Sequence, residues 1–207
     1  MKIIQENINS YPAIIHLTKA DKVLAEIINK VPSLNWEKGD NYFKSLVESI
    51  ISQQLSGKAA DTITKRFEKL FTKLPYTPQD ILNFSDEEVR AVGISYGKVS
   101  YIKDLARKIL GKELDFGHIH TFSDEDVILH LTQVKGIGRW TAEMFLMFSL
   151  GREDVFSYGD QGLKNAIQKN YRLKRPLSRK KIDKISSKWR PYRTWACRYL
   201  WRSLELE

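Results

Sequence analysis

Cysteine is nearly absent from this sequence: Cys197 is the single one among 207 residues. That excludes an intrachain disulfide framework, a zinc ribbon and a cysteine-ligated iron–sulfur cluster. Long apolar runs are missing too. None reaches the roughly 18–20 residues that a membrane-spanning helix needs, so no membrane partner is expected. The first residues, MKIIQENINSYP, carry neither the apolar core nor the small-residue cleavage site of a secretory signal. The expectation is a soluble monomer of the cytoplasm or nucleoid, or of the nucleus in a eukaryote. Histidine is sparse, at positions 16, 118, 120 and 130. His118 and His120 have no companion carboxylate at metal-ligand spacing, and no catalytic cofactor is expected.

What remains is a globular composition, 42% apolar and 29% charged. The length suits one large domain or two small ones around a shared core. Charge is distributed unevenly. Residues 1–160 hold 20 Lys and Arg against 22 Asp and Glu, whereas residues 161–207 hold 14 against 3. The basic excess therefore lies in the last quarter, interleaved with Tyr171, Trp189, Tyr192, Trp195, Tyr199 and Trp201. One basic helix is usually a solvated face with its aromatics turned inward. A balance of +11 across the whole segment points instead to a polyanionic partner.

The hydrophobic period is helical nearly throughout. Ala20–Lys30, Tyr42–Leu55 and Lys58–Leu74 repeat apolar residues at helical spacing, with Gly57 as a stop. Ser85 with Glu88 fits a capping box, and Ser123 with Asp126 repeats its spacing. Ser95 or Gly97 opens a helix to about Leu110, and another runs from Gly138 to Leu150. Gln161–Asn170 and Ser178–Lys188 read as helices, and Pro191–Leu204 as a last one with proline in its first turn. No run of strands is evident. The predicted fold is all-α: two helical lobes around a cleft, forming a single functional unit over residues 1–207.

The most informative stretch is Leu131–Phe148, LTQVKGIGRWTAEMFLMF. A helix ends near Gln133, Gly136, Ile137 and Gly138 make a tight turn, and a new helix begins at once. Two glycines allow positive φ and close backbone approach. The N–H groups opening the new helix form an anion site, and Ile137 plugs the gap between the helices. A bare Gly-x-Gly turn is common in αα-hairpins. VKGIGRWTAE in one piece is far more specific.

This stretch resembles the helix–hairpin–helix of the DNA glycosylase superfamily that carries a Gly/Pro-rich loop and a downstream Asp. It is most similar to the 3-methyladenine DNA glycosylase II family. IISQQLSGKAA (Ile50–Ala60), VGISYGKVSYIKDLA (Val92–Ala106) and VFSYGDQGLKNAI (Val155–Ile167) resemble further segments of that family in the same order. The resemblance spans about residues 20–204, with the hairpin at about 125–150.

The resemblance places the catalytic aspartate on Asp160, twenty positions after Trp140. Its setting is physically apt, since an Asp before QGLKNAI is a helix N-cap where negative charge is favoured. In hydrolysis of an N-glycosidic bond, such a carboxylate stabilises the oxocarbenium-like sugar and orients a water, or activates that water as general base. The Lys of bifunctional members aligns with Trp140, so a glycosylase without strand-cleaving activity is implied.

The resemblance also implies a damaged duplex as partner and a base flipped into a pocket formed by Trp140, Tyr192 and Met144. Met144 stands where relatives carry Tyr, so one stacking wall is replaced by a thioether. Gln54 aligns with the wedge that fills the vacated stack; Leu55 beside it is the second wedge candidate, able only to fill the gap, with the helix core as its preferred reading. Gly136 and Gly138 N–H groups meet a phosphate, with Lys135 and Arg139 as further candidates. Backbone carbonyls of Thr132, Val134 and Ile137 are implied as ligands of a structural sodium or potassium ion. Tyr101 and Asp104 have no assigned role. Three rival readings stand beside this one: a non-catalytic helix–hairpin–helix module, a same-fold glycosylase for oxidised or deaminated bases, and a helical adaptor with a basic tail.

Overall fold

The computed structural model describes residues 11–32, 34, 39, 41–174 and 176–206. In chain order the α-helices are α1 (Pro12–Ala20), α2 (Lys22–Lys30), α3 (Tyr42–Ser52), α4 (Gly57–Glu68), α5 (Pro78–Leu82), α6 (Asp86–Ala91), α7 (Tyr96–Leu110), α8 (Asp124–Leu131), α9 (Arg139–Phe148), α10 (Gln161–Asn170), α11 (Arg179–Ser186) and α12 (Arg193–Ser203). No strand occurs among the described residues. The all-α expectation holds. The chain divides into two compact units, one of residues 1–37 with 152–207 and one of residues 38–151.

Local sequence explains most helix starts. Ser85 and Glu88 form the reciprocal capping box at α6, and Ser123 Oγ accepts from the Asp126 N–H at α8. Ser95 caps α7 and Gly111 ends it. Several boundaries differ from the sequence reading: α3 stops at Ser52 rather than Leu55, and α4 at Glu68 rather than Leu74. Gly57 opens α4 rather than closing α3, because Ser56 accepts the Ala59 N–H and makes Gly57 the first helical residue. Pro191 lies outside α12, whose N-cap is Tyr192.

In the unit of residues 38–151, α3 contributes Leu46, Val47, Ile50 and Ile51 to the core, and α7 contributes Val99, Ile102, Leu105 and Ala106. Val127 and Leu131 of α8 and Ala142, Phe145 and Leu146 of α9 add to it. Each of these buried Val, Leu, Ile and Phe side chains contributes about 1.5–3 kcal/mol relative to exposure.

In the other unit, the aromatics of the basic segment are largely core: Trp189, Trp195 and Tyr199 are buried. Asp21, the buried N-cap of α2, meets Trp189 and Tyr171. Its Oδ1 accepts from Val23 and Leu24 N–H, and its Oδ2 from Tyr171 Oη at 2.7 Å and Trp189 Nε1 at 3.1 Å. Burial, then the hydrogen bond to Asp21, pushes the Tyr171 phenol well above its ordinary value. Part of the basic excess is also internal, since Arg190 and Arg193 both pair with Asp154. Lys180, Lys181 and Lys184 of α11 are exposed.

Candidate functional site

The glycine turn between α8 and α9 is fixed by its neighbours. Ile137 donates to the Val134 carbonyl at 3.1 Å, and both side chains are buried. Gly136 has φ +78, and a Cβ there would stand 2.1 Å from Cδ2 of Tyr101. Left-handed backbone and a ring pressed on the Cα both demand glycine. Gly138 is glycine for a different reason. It is the extended N-cap of α9 and places no capping side chain over that helix's first turn. The N–H groups of that turn are the ones an anion would meet.

Two further bonds anchor the turn. Asp104 Oδ2 accepts the Lys135 N–H at 2.9 Å, and Gln53 Nε2 donates to the Gly136 carbonyl at 2.9 Å. Gln53 belongs to the short connection between α3 and α4. Lys98 Nζ holds that connection by donating to the Ile51 and Gln53 carbonyls at 2.8 and 2.7 Å. Burial lowers the pKa of its ammonium from the ordinary lysine value. Gln54, next in the chain, is exposed with φ +58. Lys98, Tyr101 and Asp104 repeat every three residues along α7, so one helix face supports both turns.

Gln54, Leu55, Gly136 and Trp140 line a cavity of about 420 Å³ with Ser52, Gln53 and Thr141. Trp140, in the first turn of α9, is 47% exposed. Ser52 and Thr141 also line a neighbouring cavity of about 540 Å³, floored by Met144, Phe145 and Phe148 and edged by Ser49 and Glu48. Burial raises the pKa of the Glu48 carboxyl, while Lys44 at 3.6 Å opposes that.

Asp160 belongs to the other unit. It is the N-cap of α10 and only 8% exposed. Its Oδ1 accepts the Leu163 N–H at 2.6 Å and the Trp201 Nε1–H at 3.0 Å. Tyr192, in the same unit and half-buried, meets the His16 ring edge-on at 5.6 Å between centroids.

Residues 47–191 match the family described as HhH-GPD superfamily base excision DNA repair protein. The chain belongs to this superfamily. DNA-3-methyladenine glycosylase 1 of Schizosaccharomyces pombe is 35% identical over 198 residues, covering 93% of this chain and 86% of that protein. Among solved structures, a DNA-3-methyladenine glycosidase from Bacillus halodurans superposes with TM-score 0.84 at 37% identity, covering 96% of this chain and 91% of its own. The S. pombe 3-methyladenine DNA glycosylase in complex with abasic DNA gives 0.82 at 33%, covering 95% and 98%.

Within this HhH-GPD chain, one site residue differs from its preferred sequence reading and two gain partners. Leu55 is not core: it is 37% exposed beside Gln54, because α3 stops at Ser52 and Lys98 draws the chain aside. Arg139, a phosphate candidate in the sequence, carries ion pairs within its own unit. Its guanidinium pairs with both oxygens of Glu125 and with Glu143. Glu125 is thereby held below the usual carboxylate range. The Lys135 N–H is committed to Asp104, which leaves its exposed side chain as the phosphate candidate. The HhH-GPD hairpin gathers Gln54, Gly136 and Trp140 around one cavity, with Met144 in the next.

Sequence reading missed Gln53, Lys98 and Trp201, and gave Tyr101 and Asp104 no task. The three-residue spacing of 98, 101 and 104 was the available signal, since it puts an ammonium, a phenol and a carboxylate on one helix face.

Proposed function

We propose that this HhH-GPD protein is a monofunctional DNA glycosylase that excises alkylated purines, of the 3-methyladenine and 7-methylguanine type, from double-stranded DNA. The observation that carries the reading is Asp160, a nearly buried carboxylate held by two N–H donors at the start of α10. The match to alkylpurine glycosylases over nearly the whole chain supports it.

The chemistry follows from the charge. An alkylated purine carries a positive charge and leaves as a neutral base when the N-glycosidic bond breaks. The sugar is left with oxocarbenium character. Asp160 stabilises that cation and receives the proton of the attacking water, whose oxygen joins C1′. No acid is needed for the leaving group. Position 140 carries an indole rather than an amine, so no Schiff base with the sugar forms there and the strand stays intact.

Each unit has its own part in this reading. In the unit of residues 38–151, the hairpin N–H groups at Gly136 and Gly138 and the Lys135 side chain take a phosphate, and Gln54 enters the stack. Trp140 offers a π face that attracts a cationic base by about 1 kcal/mol, and Met144 adds polarizable surface. In the other unit, Tyr192, the N-cap of α12, offers a second aromatic face. The carbonyls of Thr132, Val134 and Ile137 suit a sodium or potassium ion. Thr132 is the C-cap of α8, where carbonyls carry partial negative charge. Val134 accepts one N–H and keeps a second lone pair.

The test is release of free base from methylated duplex DNA, followed by a denaturing gel. The expected result is 3-methyladenine or 7-methylguanine in solution and a strand that breaks only after alkali. Release of oxidised or deaminated bases alone, or salt-sensitive binding with no release, overturns the reading.

A further inference from the structure

Asp21 and Asp160 are both buried N-cap aspartates of the same unit, and each accepts an indole N–H. Their bonding differs. At Asp21 the backbone donors fall on Oδ1 and the Tyr171 and Trp189 side chains on Oδ2. At Asp160 the capping N–H of Leu163 and the indole of Trp201 converge on the same oxygen. Capping itself requires one backbone bond, as Ser56 and Ser95 show at α4 and α7. The indole, reaching from α12 across 41 residues of sequence, does something more than cap.

Gly162 completes the arrangement. A Cβ there would lie 3.1 Å from Asp160 Oδ1 and 3.3 Å from Cδ1 and Nε1 of Trp201. Glycine at 162 thus leaves the carboxylate and the indole in place, and any Cβ there would press both by a few tenths of an ångström. Two donors on one oxygen fix the rotation of the carboxylate about its Cα–Cβ and Cβ–Cγ bonds.

We infer that Trp201 is a positioning residue, whose indole N–H holds the Asp160 carboxylate in the orientation the reaction uses. The inference rests on the glycosylase reading, and its role differs from that of Asp160: Trp201 acts only through the carboxylate. Misplacement of a reacting group by about 1 Å costs up to about 100-fold in rate. Removing the indole donor is therefore expected to slow chemistry without weakening DNA binding.

The experiment compares wild type, Trp201→Phe and Gly162→Ala in single-turnover base release from methylated duplex, with affinity for an abasic duplex alongside. Trp201→Phe keeps an aromatic ring and loses the N–H. It is expected to lower the maximal rate by about 10- to 100-fold with abasic-duplex affinity within about twofold. Gly162→Ala places a better helix former in α10 and crowds the same pair. It is expected to slow release with no fall in melting temperature, which keeps the test valid if Trp201→Phe folds poorly. A spectroscopic readout accompanies these rates. The Trp201 indole resonance, assigned by its loss in Trp201→Phe, should move in Asp160→Ala. If both variants keep the wild-type rate, or affinity and rate fall together in both, the positioning role is overturned while the glycosylase reading stands. If wild type itself releases no base, the glycosylase reading fails and the inference falls with it.

Discussion

The Tyr101 ring lies where a side chain at Gly136 would have to be, with its Cδ2 at 2.1 Å from the position of a Cβ. The turn that presents α9's first N–H groups is thus moulded against α7. Gly136→Ala has to abandon φ +78, at a cost of about 1–2 kcal/mol, and also displace the ring. The expected outcome is a lower melting temperature and weaker binding to any duplex. In a Tyr101→Ala background the same change should cost measurably less, because only the backbone penalty remains. A thermal double-mutant cycle measures the difference.

Lys98 holds the other turn. Lys98→Met keeps the length of the side chain and removes both bonds to the Ile51 and Gln53 carbonyls. Bonds from a charged donor contribute about 1.5–3 kcal/mol, and partial exposure places this pair at the lower end. Base release should fall several-fold with Gln54 no longer held, while the far-ultraviolet helix signal is retained.

Gln54 sits exposed in left-handed backbone, so its stability cost and its functional use can be separated. Gln54→Gly relieves the positive φ and should leave the melting temperature equal or higher. The same variant has nothing to insert into the stack, and single-turnover release should drop. A wedge role is contradicted if Gln54→Gly excises at the wild-type rate.

The basic segment and the hairpin make opposite forecasts for salt. Lys180, Lys181 and Lys184 are exposed on α11, and their joint replacement by alanine should reduce the slope of log affinity against log salt. Arg139→Ala should change that slope little, because its charge is paired with Glu125 and Glu143. Glu125 has its pKa depressed by Arg139. The contribution of that pair to stability is therefore full above the ordinary glutamate value near 4.5 and is lost as pH falls through the lower folded value. An acid melting series on wild type and Glu125→Gln should diverge above that window and converge below it.

The helical architecture was legible because its signals are local. Capping serines and the 3.6-residue period act over a few positions, so α6, α7 and α8 began where Ser85, Ser95 and Ser123 stand. The hairpin was legible because its two glycines lie within one turn. Long-range hydrogen bonds were not: Gln53 meets Gly136 across 83 residues and Trp201 meets Asp160 across 41. The pairing of Arg139 was hidden for the same reason, since Glu125 lies on the preceding helix. Much of the basic tail's aromatic content proved to be core, with Trp189, Trp195 and Tyr199 buried.

Hydrolysis directed by Asp160 is tested most directly by Asp160→Asn in single-turnover base release from methylated duplex, with abasic-duplex affinity measured on the same protein. Asparagine retains an oxygen for the Leu163 and Trp201 donors and loses the charge and the base. The expected result is a fall of about 10²–10⁴-fold in release with binding preserved. Release within a few-fold of wild type contradicts the assignment of Asp160.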